Sequence, residues 1–158
     1  LDVQTDTLTG LLNRRGMDDT LALWQAAQCP FAALALDIDH FKRVNDVHGH
    51  AVGDQVLQRL AQLMRESARG DDVLCRVGGE EFLMLLPGVS LEAAEQVAQR
   101  LRALLERTDI APVGRITLSL GVARWPQHGS TAGAVLEAAD AALYEAKRTG
   151  RNRVVVAA

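Results

Sequence analysis

The sequence is poor in the residues that mark disulfide scaffolds, zinc sites and membrane spans. It has two cysteines in 158 residues, Cys29 and Cys75, and no Cys-x-x-Cys pair. We therefore expect neither a disulfide framework nor a cysteine-based zinc site. We expect the protein to work in a reducing compartment. The sequence shows no signal peptide and no apolar run long enough to span a bilayer. We expect a cytoplasmic domain that makes no membrane contact of its own.

The sequence also has little excess of either charge and few aromatic residues. The net charge is −3, which gives no argument for binding nucleic acid, and aromatic residues make up only 4% of the chain. The length and the hydrophobic content of 48% fit a single soluble domain with a real core. Motif-like residues follow almost at once after Leu1, so we expect one domain over residues 1–158, the C-terminal part of a longer protein. A sensor or membrane anchor would then lie in the preceding region.

Hydrophobic periodicity predicts alternating helices and strands along the whole chain. The predicted helices are 15–28, 40–48, 51–67, 91–107 and 131–149, and the predicted strands are 31–36, 73–77, 82–86, 116–122 and an edge strand at 153–156. Residues 125–129 are predicted as a loop. The element order indicates an α+β fold, with a mainly antiparallel central sheet flanked by helices.

Two glycines, Gly78 and Gly79, separate the second and third predicted strands. A two-residue Gly-Gly loop predicts a tight hairpin with a primed turn, because such turns need positive φ. Glu80 and Glu81 follow directly. The turn could admit a bulky anionic ligand whose charge a metal neutralises. The alternative is a solvated turn whose glutamates have no function.

Acidic residues also stand at the end of the first strand. Asp37 and Asp39 are two residues apart, so their side chains share one side of an extended chain. In such a fold the first and third strands lie side by side, so Asp37 and Glu80 could meet. Paired strand-end carboxylates suit magnesium in phosphoryl or nucleotidyl transfer. Two unrelated solvated strand ends remain the alternative. An EF-hand is excluded because Phe41 and Lys42 fall where an oxygen ligand and glycine are required.

Other polar residues carry weaker signals. Lys147 and Arg151, four residues apart at a helix end, could clasp a phosphate or merely complement the helix dipole. His48 and His50 lack a third spaced ligand, so a polar loop role is favoured over a metal site. No GxxxxGK[ST] motif occurs, which excludes a P-loop protein.

Five ordered blocks of the sequence resemble the GGDEF domain of bacterial diguanylate cyclases, and they cover nearly all of it. The blocks are 6–14, 37–46, 49–54, the GGEEF form of the naming motif at 78–82, and 139–152. The resemblance implies a ferredoxin-like, palm-type nucleotidyl cyclase core. It also implies a signalling enzyme that condenses two GTP into cyclic di-GMP and releases two pyrophosphates.

The resemblance further implies a metal and its ligands. Mg²⁺, with Mn²⁺ as an alternative, would be held by Asp37, the Ile38 carbonyl and Glu80, with Glu81 as an additional ligand. Glu80 is also the implied proton acceptor for the attacking 3′-hydroxyl, although a metal-bound carboxylate is a poor base. The implied substrate-binding residues are Asn45 and Asp54 at the guanine edge, His50 at the nucleotide, and Phe41, Lys42, Gly79, Lys147 and Arg151 around the phosphates.

Regulation and assembly follow from the same resemblance. One domain would hold one GTP, so catalysis implies a homodimer with a two-fold axis. Arg69 and Asp72 match the family's RxxD site for inhibition by bound cyclic di-GMP, and Arg100 on the following helix is the implied second contact. The alternative is a surface turn with a local ion pair of little energetic value.

Two other functions remain open at this point. One is a catalytically silent module that senses GTP or cyclic di-GMP. The other is a related cyclase that makes a different cyclic nucleotide, which would need altered base-reading residues. Asn45 and Asp54 favour guanine.

Overall fold

The computed structural model describes residues 3–158, which form a five-stranded sheet with helices on both faces. In chain order the elements are α1 (Arg14–Ala26), β1 (Phe31–Ile38), α2 (Phe41–His48), α3 (His50–Ser67), β2 (Val73–Arg76), β3 (Glu81–Pro87), α4 (Leu91–Glu106), β4 (Leu118–Trp125), α5 (Ala132–Arg148) and β5 (Val154–Val156). The strand order across the sheet is β2-β3-β1-β4-β5. Of the four strand pairings within residues 3–158, the one between β4 and β5 is parallel and the other three are antiparallel. The predicted α+β class and mainly antiparallel sheet are confirmed.

The central strand β1 is buried along its whole length. Ala32, Leu34 and Leu36 join the core under α3 and α4. Phe31 and Ala33 join the core on the other face, against α1 and α5. Because successive side chains point to opposite faces, a continuous apolar run suits a strand that is covered on both sides.

Gly121 in β4 allows α5 to pack closely on the sheet. A Cβ at Gly121 would lie 2.1 Å from the carbonyl oxygen of Ala139 and 2.3 Å from the backbone nitrogen of Leu143. No side chain fits in that space. The close approach fixes α5 against the sheet, and the C-terminal turn of α5 carries Lys147.

The predicted bounds of three elements were wrong by two residues or more. Strand β1 continues to Ile38, so Asp37 lies inside the strand instead of after it. Strand β4 runs from Leu118 to Trp125, because Trp125 pairs with Phe31 and its ring stacks on the Phe31 ring at 6.2 Å. Helix α1 ends at Ala26 and not at 28, since Gln28 adopts a left-handed φ of 54°.

The prediction of a two-residue primed turn at Gly78 and Gly79 was also wrong. The loop spans residues 77–80, closed by a hydrogen bond from the Val77 N–H to the Glu81 carbonyl at 2.9 Å. Neither glycine has a φ in the left-handed region. A four-residue hairpin loop is commonly built on a type I turn, which needs no positive φ. The Arg76 Nε donates to the Gly79 carbonyl at 3.0 Å and braces the loop.

Across residues 3–158, none of the helices combines the length and the apolar character needed to cross a membrane.

Candidate nucleotide and metal site

Asp37 lies at the centre of the candidate site, at the C-terminal end of β1. It is only 6% exposed, and its Oδ2 contacts the Lys147 Nζ on α5. Its Oδ1 is buried and has no hydrogen-bond partner. Buried polar atoms are nearly always satisfied, because an unpaired one forfeits its hydration. An unpaired carboxylate oxygen here is therefore suited to receive a cation.

The hairpin brings further carboxylates to Asp37. Asp37 and Glu81 are opposite each other in the β1–β3 register, which confirms that the first and third strands are neighbours. Burial and the negative charge of Asp37 raise the pKa of Glu80, while Lys147 acts in the opposite direction. The pKa of Asp140 on α5 is raised by burial and by the charges of Glu81 and Asp37. The negative potential is thus concentrated at one end of the sheet.

This donor set fits a magnesium ion only as part of a nucleotide complex. Among residues 3–158, no three His, Cys, Asp or Glu side chains are close enough together to enclose a metal. Magnesium is commonly bound by one or two carboxylates plus substrate phosphates and water. Asp37, Glu80 and the Ile38 carbonyl suit that arrangement.

Asn45 on α2 and Gly53 on α3 form a contact between the two helices. The Oδ1 of Asn45 is buried and has no partner. A Cβ on Gly53 would lie only 1.9 Å from that oxygen, so glycine leaves the space that the amide occupies. The contact depends on the corner between α2 and α3, where Gly49 has a φ of 89°. Asp54 follows Gly53 on α3 and is exposed.

The residues predicted to surround the phosphates differ in their surroundings. Phe41 is 6% exposed and packs in the core, so only its backbone could contact a phosphate. The Lys42 side chain is 91% exposed and lies 3.8 Å from Asp46. Lys147 is half-buried against Asp37, so it does more than complement the helix dipole. Three further predicted residues are exposed: His50, Gly79 and Arg151.

The cleft at the site is small and shallow. Asp37, Glu81, Asp140, Tyr144 and Lys147 are among the residues that line a pocket of about 180 Å³. Pockets that enclose a drug-sized ligand usually measure about 300–1,000 Å³. The cleft is therefore too small to enclose a nucleoside triphosphate.

Arg69 and Asp72 contact each other in the loop before β2. The Asp72 carboxylate accepts from the Arg69 backbone N–H at 2.8 Å and from its Nη2 at 3.3 Å. The Asp72 side chain is 2% exposed, whereas that of Arg69 is 56% exposed. Asp72 therefore orients a guanidinium that remains accessible. Arg100 is exposed on α4, and no hydrogen bond or ion pair within residues 3–158 joins it to either residue.

Sequence reasoning missed the residues that tie the hairpin to the N-terminal turn. The Arg76 Nη1 lies 3.2 Å from the Asp6 Oδ1, and both side chains are largely buried. Burial acts to raise the pKa of Asp6, but hydrogen bonds from Thr9 and the charge of Arg76 together lower it. Arg14 also donates to the Val77 carbonyl at 3.4 Å. Arg76 alternates with apolar residues in β2, which was the available signal for a partner on one face.

The chain belongs to the GGDEF domain family. Residues 3–153 match the family described as "Diguanylate cyclase, GGDEF domain". The match covers the hairpin, the end of β1 and α5 together.

Curated relatives share the domain but are longer. The chain is 45% identical over 161 residues to the diguanylate cyclase DgcP of Pseudomonas aeruginosa, covering 97% of this chain and 24% of that protein. It is 40% identical over 158 residues to DgcT of Escherichia coli (strain K12), described as a probable diguanylate cyclase, covering 96% of this chain and 35% of the relative. The chain thus spans well under half the length of these relatives.

A solved structure has the same fold. The GGDEF domain of DgcB from Caulobacter crescentus, in complex with c-di-GMP, superposes with a TM-score of 0.89 at 37% identity. The similarity covers 99% of this chain and 96% of that one. It supports the palm-type nucleotidyl cyclase fold implied by the sequence.

Proposed function

We propose that this domain is a diguanylate cyclase, which condenses two GTP into cyclic di-GMP and releases two pyrophosphates. The observation that carries the proposal is the buried, unpaired Oδ1 of Asp37, beside Lys147 and the Glu80–Glu81 carboxylates. A site that combines an unsatisfied acceptor with a cationic side chain suits a metal–phosphate complex. The family and the named relatives support the same activity.

The metal would be held by Asp37, the Ile38 carbonyl and Glu80, with Glu81 as a further ligand. We propose Mg²⁺ as the metal, with Mn²⁺ as an alternative. When bound, it would neutralise phosphate charge and polarise the reacting phosphate. The protein would then contribute positioning and electrostatic stabilisation.

The chain's own residues would bind and orient the nucleotide. Asn45 and Asp54 would contact the guanine edge, with His50 nearby. Lys147, Arg151, Lys42 and the backbone at Phe41 and Gly79 would contact the phosphates. Lys147 contacts Asp37, and with a metal held by Asp37 it would be free to contact phosphate.

Glu80 would accept the proton of the attacking 3′-hydroxyl. Its raised pKa makes it a better base than an ordinary carboxylate, provided that it is not fully engaged by the metal. This role competes with its role as a ligand.

Catalysis would take place between two copies of the domain. The shallow 180 Å³ pocket leaves a bound GTP largely uncovered, and a second copy related by a two-fold axis would bring the opposed GTP. The reaction itself needs two GTP molecules, which favours a homodimer.

Cyclic di-GMP would also inhibit the domain allosterically at the site formed by Arg69 and Asp72, with Arg100 as a second contact. The accessible guanidinium of Arg69, oriented by Asp72, is the feature that supports this part of the proposal. A solved relative was determined in complex with c-di-GMP.

The test is to fuse the domain to a dimerising coiled coil, incubate it with GTP and Mg²⁺, and identify the nucleotides by mass. Cyclic di-GMP formed by the wild type and absent with Glu80→Ala is the expected result. GTP that binds but stays unconverted under forced dimerisation would contradict the proposal, and would favour a silent sensing module.

A further inference from the structure

Asp39 is a buried carboxylate for which the proposed reaction has no use. It lies one residue after β1 and is 4% exposed. The Thr117 Oγ1 donates to its Oδ2 at 2.7 Å, and the Ser119 Oγ donates to its Oδ1 at 2.6 Å. Burying a carboxylate is costly unless donors satisfy it, so this network is a built feature of the fold.

The third donor to Asp39 comes from the segment after α5. The backbone N–H of Asn152 donates to the Asp39 Oδ2 at 3.0 Å. Arg151 and Asn152 have left-handed φ values of 62° and 46°. Two such residues in a row are unfavourable without glycine and persist only where surrounding contacts hold them. Asp39 holds the second of the two.

Helix α4 holds the same segment from another side. The Arg102 Nη1 donates to the Asn152 Oδ1 at 2.9 Å, and the Asn152 Nδ2 donates to the Glu106 Oε2 at 2.6 Å. The Arg151 N–H donates to the Ala146 carbonyl at 2.9 Å. The backbone of Arg151 is therefore held by its own N–H on one side and by the bonds of Asn152 on the other.

The guanidinium of Arg151, in contrast, is exposed and makes no hydrogen bond or ion pair within residues 3–158. A fixed backbone with an unengaged cationic side chain is an arrangement prepared for an anion. A preorganised donor loses less conformational entropy when its ligand binds.

We propose that Asp39 is a positioning residue for the polyphosphate of the substrate. By holding the left-handed turn at residues 151–152, it keeps the Arg151 guanidinium where the phosphates of GTP bind. The two acids at the end of β1 then have separate tasks: Asp37 faces the metal and Lys147, and Asp39 fixes the turn. This inference rests on the proposed function, in which Arg151 contacts phosphate.

A purely structural role for Asp39 predicts a different result. Loss of core stability would lower the affinity of the site for all its ligands by the same factor. Loss of positioning would lower the affinity for a nucleotide in proportion to the number of its phosphates that Arg151 contacts. The ratio of the affinities for a triphosphate and a monophosphate separates the two.

The perturbation is Asp39→Asn, which keeps the shape of the side chain. An amide is uncharged, and its one oxygen can accept from at most two of the three donors, so the charge-assisted hold on the Asn152 N–H is lost. The binding of a non-hydrolysable GTP analogue and of GMP is measured by calorimetry with Mg²⁺. Asp18→Asn, an exposed acid on α1, is the matched control and should bind both as the wild type does.

We expect Asp39→Asn to weaken binding of the GTP analogue about tenfold, the loss of one charge-assisted contact, and GMP less than about twofold. Arg151→Ala should give the same pattern. The double variant should lose no more than Arg151→Ala alone, because both changes remove one interaction. Equal losses for the two nucleotides, or additive losses in the double variant, would overturn the inference.

Two further results keep the outcome clear. Hydrogen exchange on the wild type should show a protected Asn152 amide, and exchange at the unprotected rate would overturn the inference even if Asp39→Asn does not fold. A wild type with no metal-dependent GTP binding would refute the proposed function. If the Arg151→Ala variant binds the GTP analogue as tightly as the wild type does, with the same preference over GMP, then Arg151 makes no phosphate contact. That result would also refute this inference.

Discussion

Gly53→Ala should damage nucleotide binding while leaving the fold intact. Alanine is favoured over glycine inside a helix by about 1 kcal/mol, so the backbone of α3 gains stability from the change. The new Cβ, however, would lie 1.9 Å from the Asn45 Oδ1, against ordinary contacts of 3.4–4 Å. The Asn45 amide must therefore move by about 1.5 Å, the difference between 1.9 Å and 3.4 Å.

The displaced amide can no longer contact guanine in its original position. Removing one or two hydrogen bonds to a bound base costs about 1–3 kcal/mol, so GTP affinity should fall about 5- to 150-fold. Asn45→Ala should give a similar loss. The measurement is equilibrium binding of a non-hydrolysable GTP analogue, with thermal unfolding recorded in parallel.

Gly133→Ala is the matched control for this prediction. Gly133 lies in the first turn of α5, and a Cβ there would meet nothing nearer than the Thr131 Oγ1 at 3.9 Å. This variant should gain about 0.5–1 kcal/mol of stability and keep wild-type affinity. Wild-type GTP affinity in Gly53→Ala would refute the assignment of Asn45 to the guanine contact.

Three further changes probe charge at the site and around it. Without metal, Glu80→Gln should raise Tm by at most about 1 °C at pH 7.5, because the folded-state pKa of Glu80 is raised and its ionised form destabilises the fold, an effect that solvent screens at this partly exposed side chain. The gain should vanish near pH 3.5, where Glu is protonated in both states, and a lower Tm at pH 7.5 would contradict this prediction. Asp6→Asn should lower the free energy of unfolding in urea by about 1 kcal/mol at pH 7. The folded-state pKa of Asp6 is lowered, so the stability that Asp6 contributes is present above its ordinary pKa and is lost as the pH falls through its folded-state pKa. An unchanged urea midpoint would count against the Asp6–Arg76 pair. Arg69→Ala should keep the initial rate of cyclic di-GMP formation and weaken product inhibition at least tenfold, whereas unchanged inhibition would exclude Arg69 from the product site.

The strand pattern of the sequence carried most of the fold. The apolar run before Asp37 and the alternation before Gly78 predicted two strands, and the order of elements predicted that the first and third would be neighbours. Asp37 and Glu81 do face each other in register. Thr117, directly before β4, and Ser119 within it supply the hydroxyls that donate to Asp39.

What the sequence could not predict depends on how distant segments meet. The hairpin glycines suggested positive φ. The turn type, however, is set by the number of loop residues, which depends on where the pairing between β2 and β3 stops. The contact between Asn45 and Gly53 requires the corner at Gly49. The partners of Asp39 come from β4 and from the segment after α5, about 80 and 113 residues away along the chain. No local pattern encodes such a contact.

The most direct test of the metal–nucleotide site is anomalous diffraction from a crystal of the domain grown with Mn²⁺ and a non-hydrolysable GTP analogue. We predict a manganese peak within bonding distance of an Asp37 carboxylate oxygen, the Ile38 carbonyl and Glu80. The phosphates should complete the coordination, and Lys147 should have turned from Asp37 towards them. A nucleotide bound with its metal elsewhere, and with the Asp37–Lys147 contact unchanged, would contradict the site proposed for this domain.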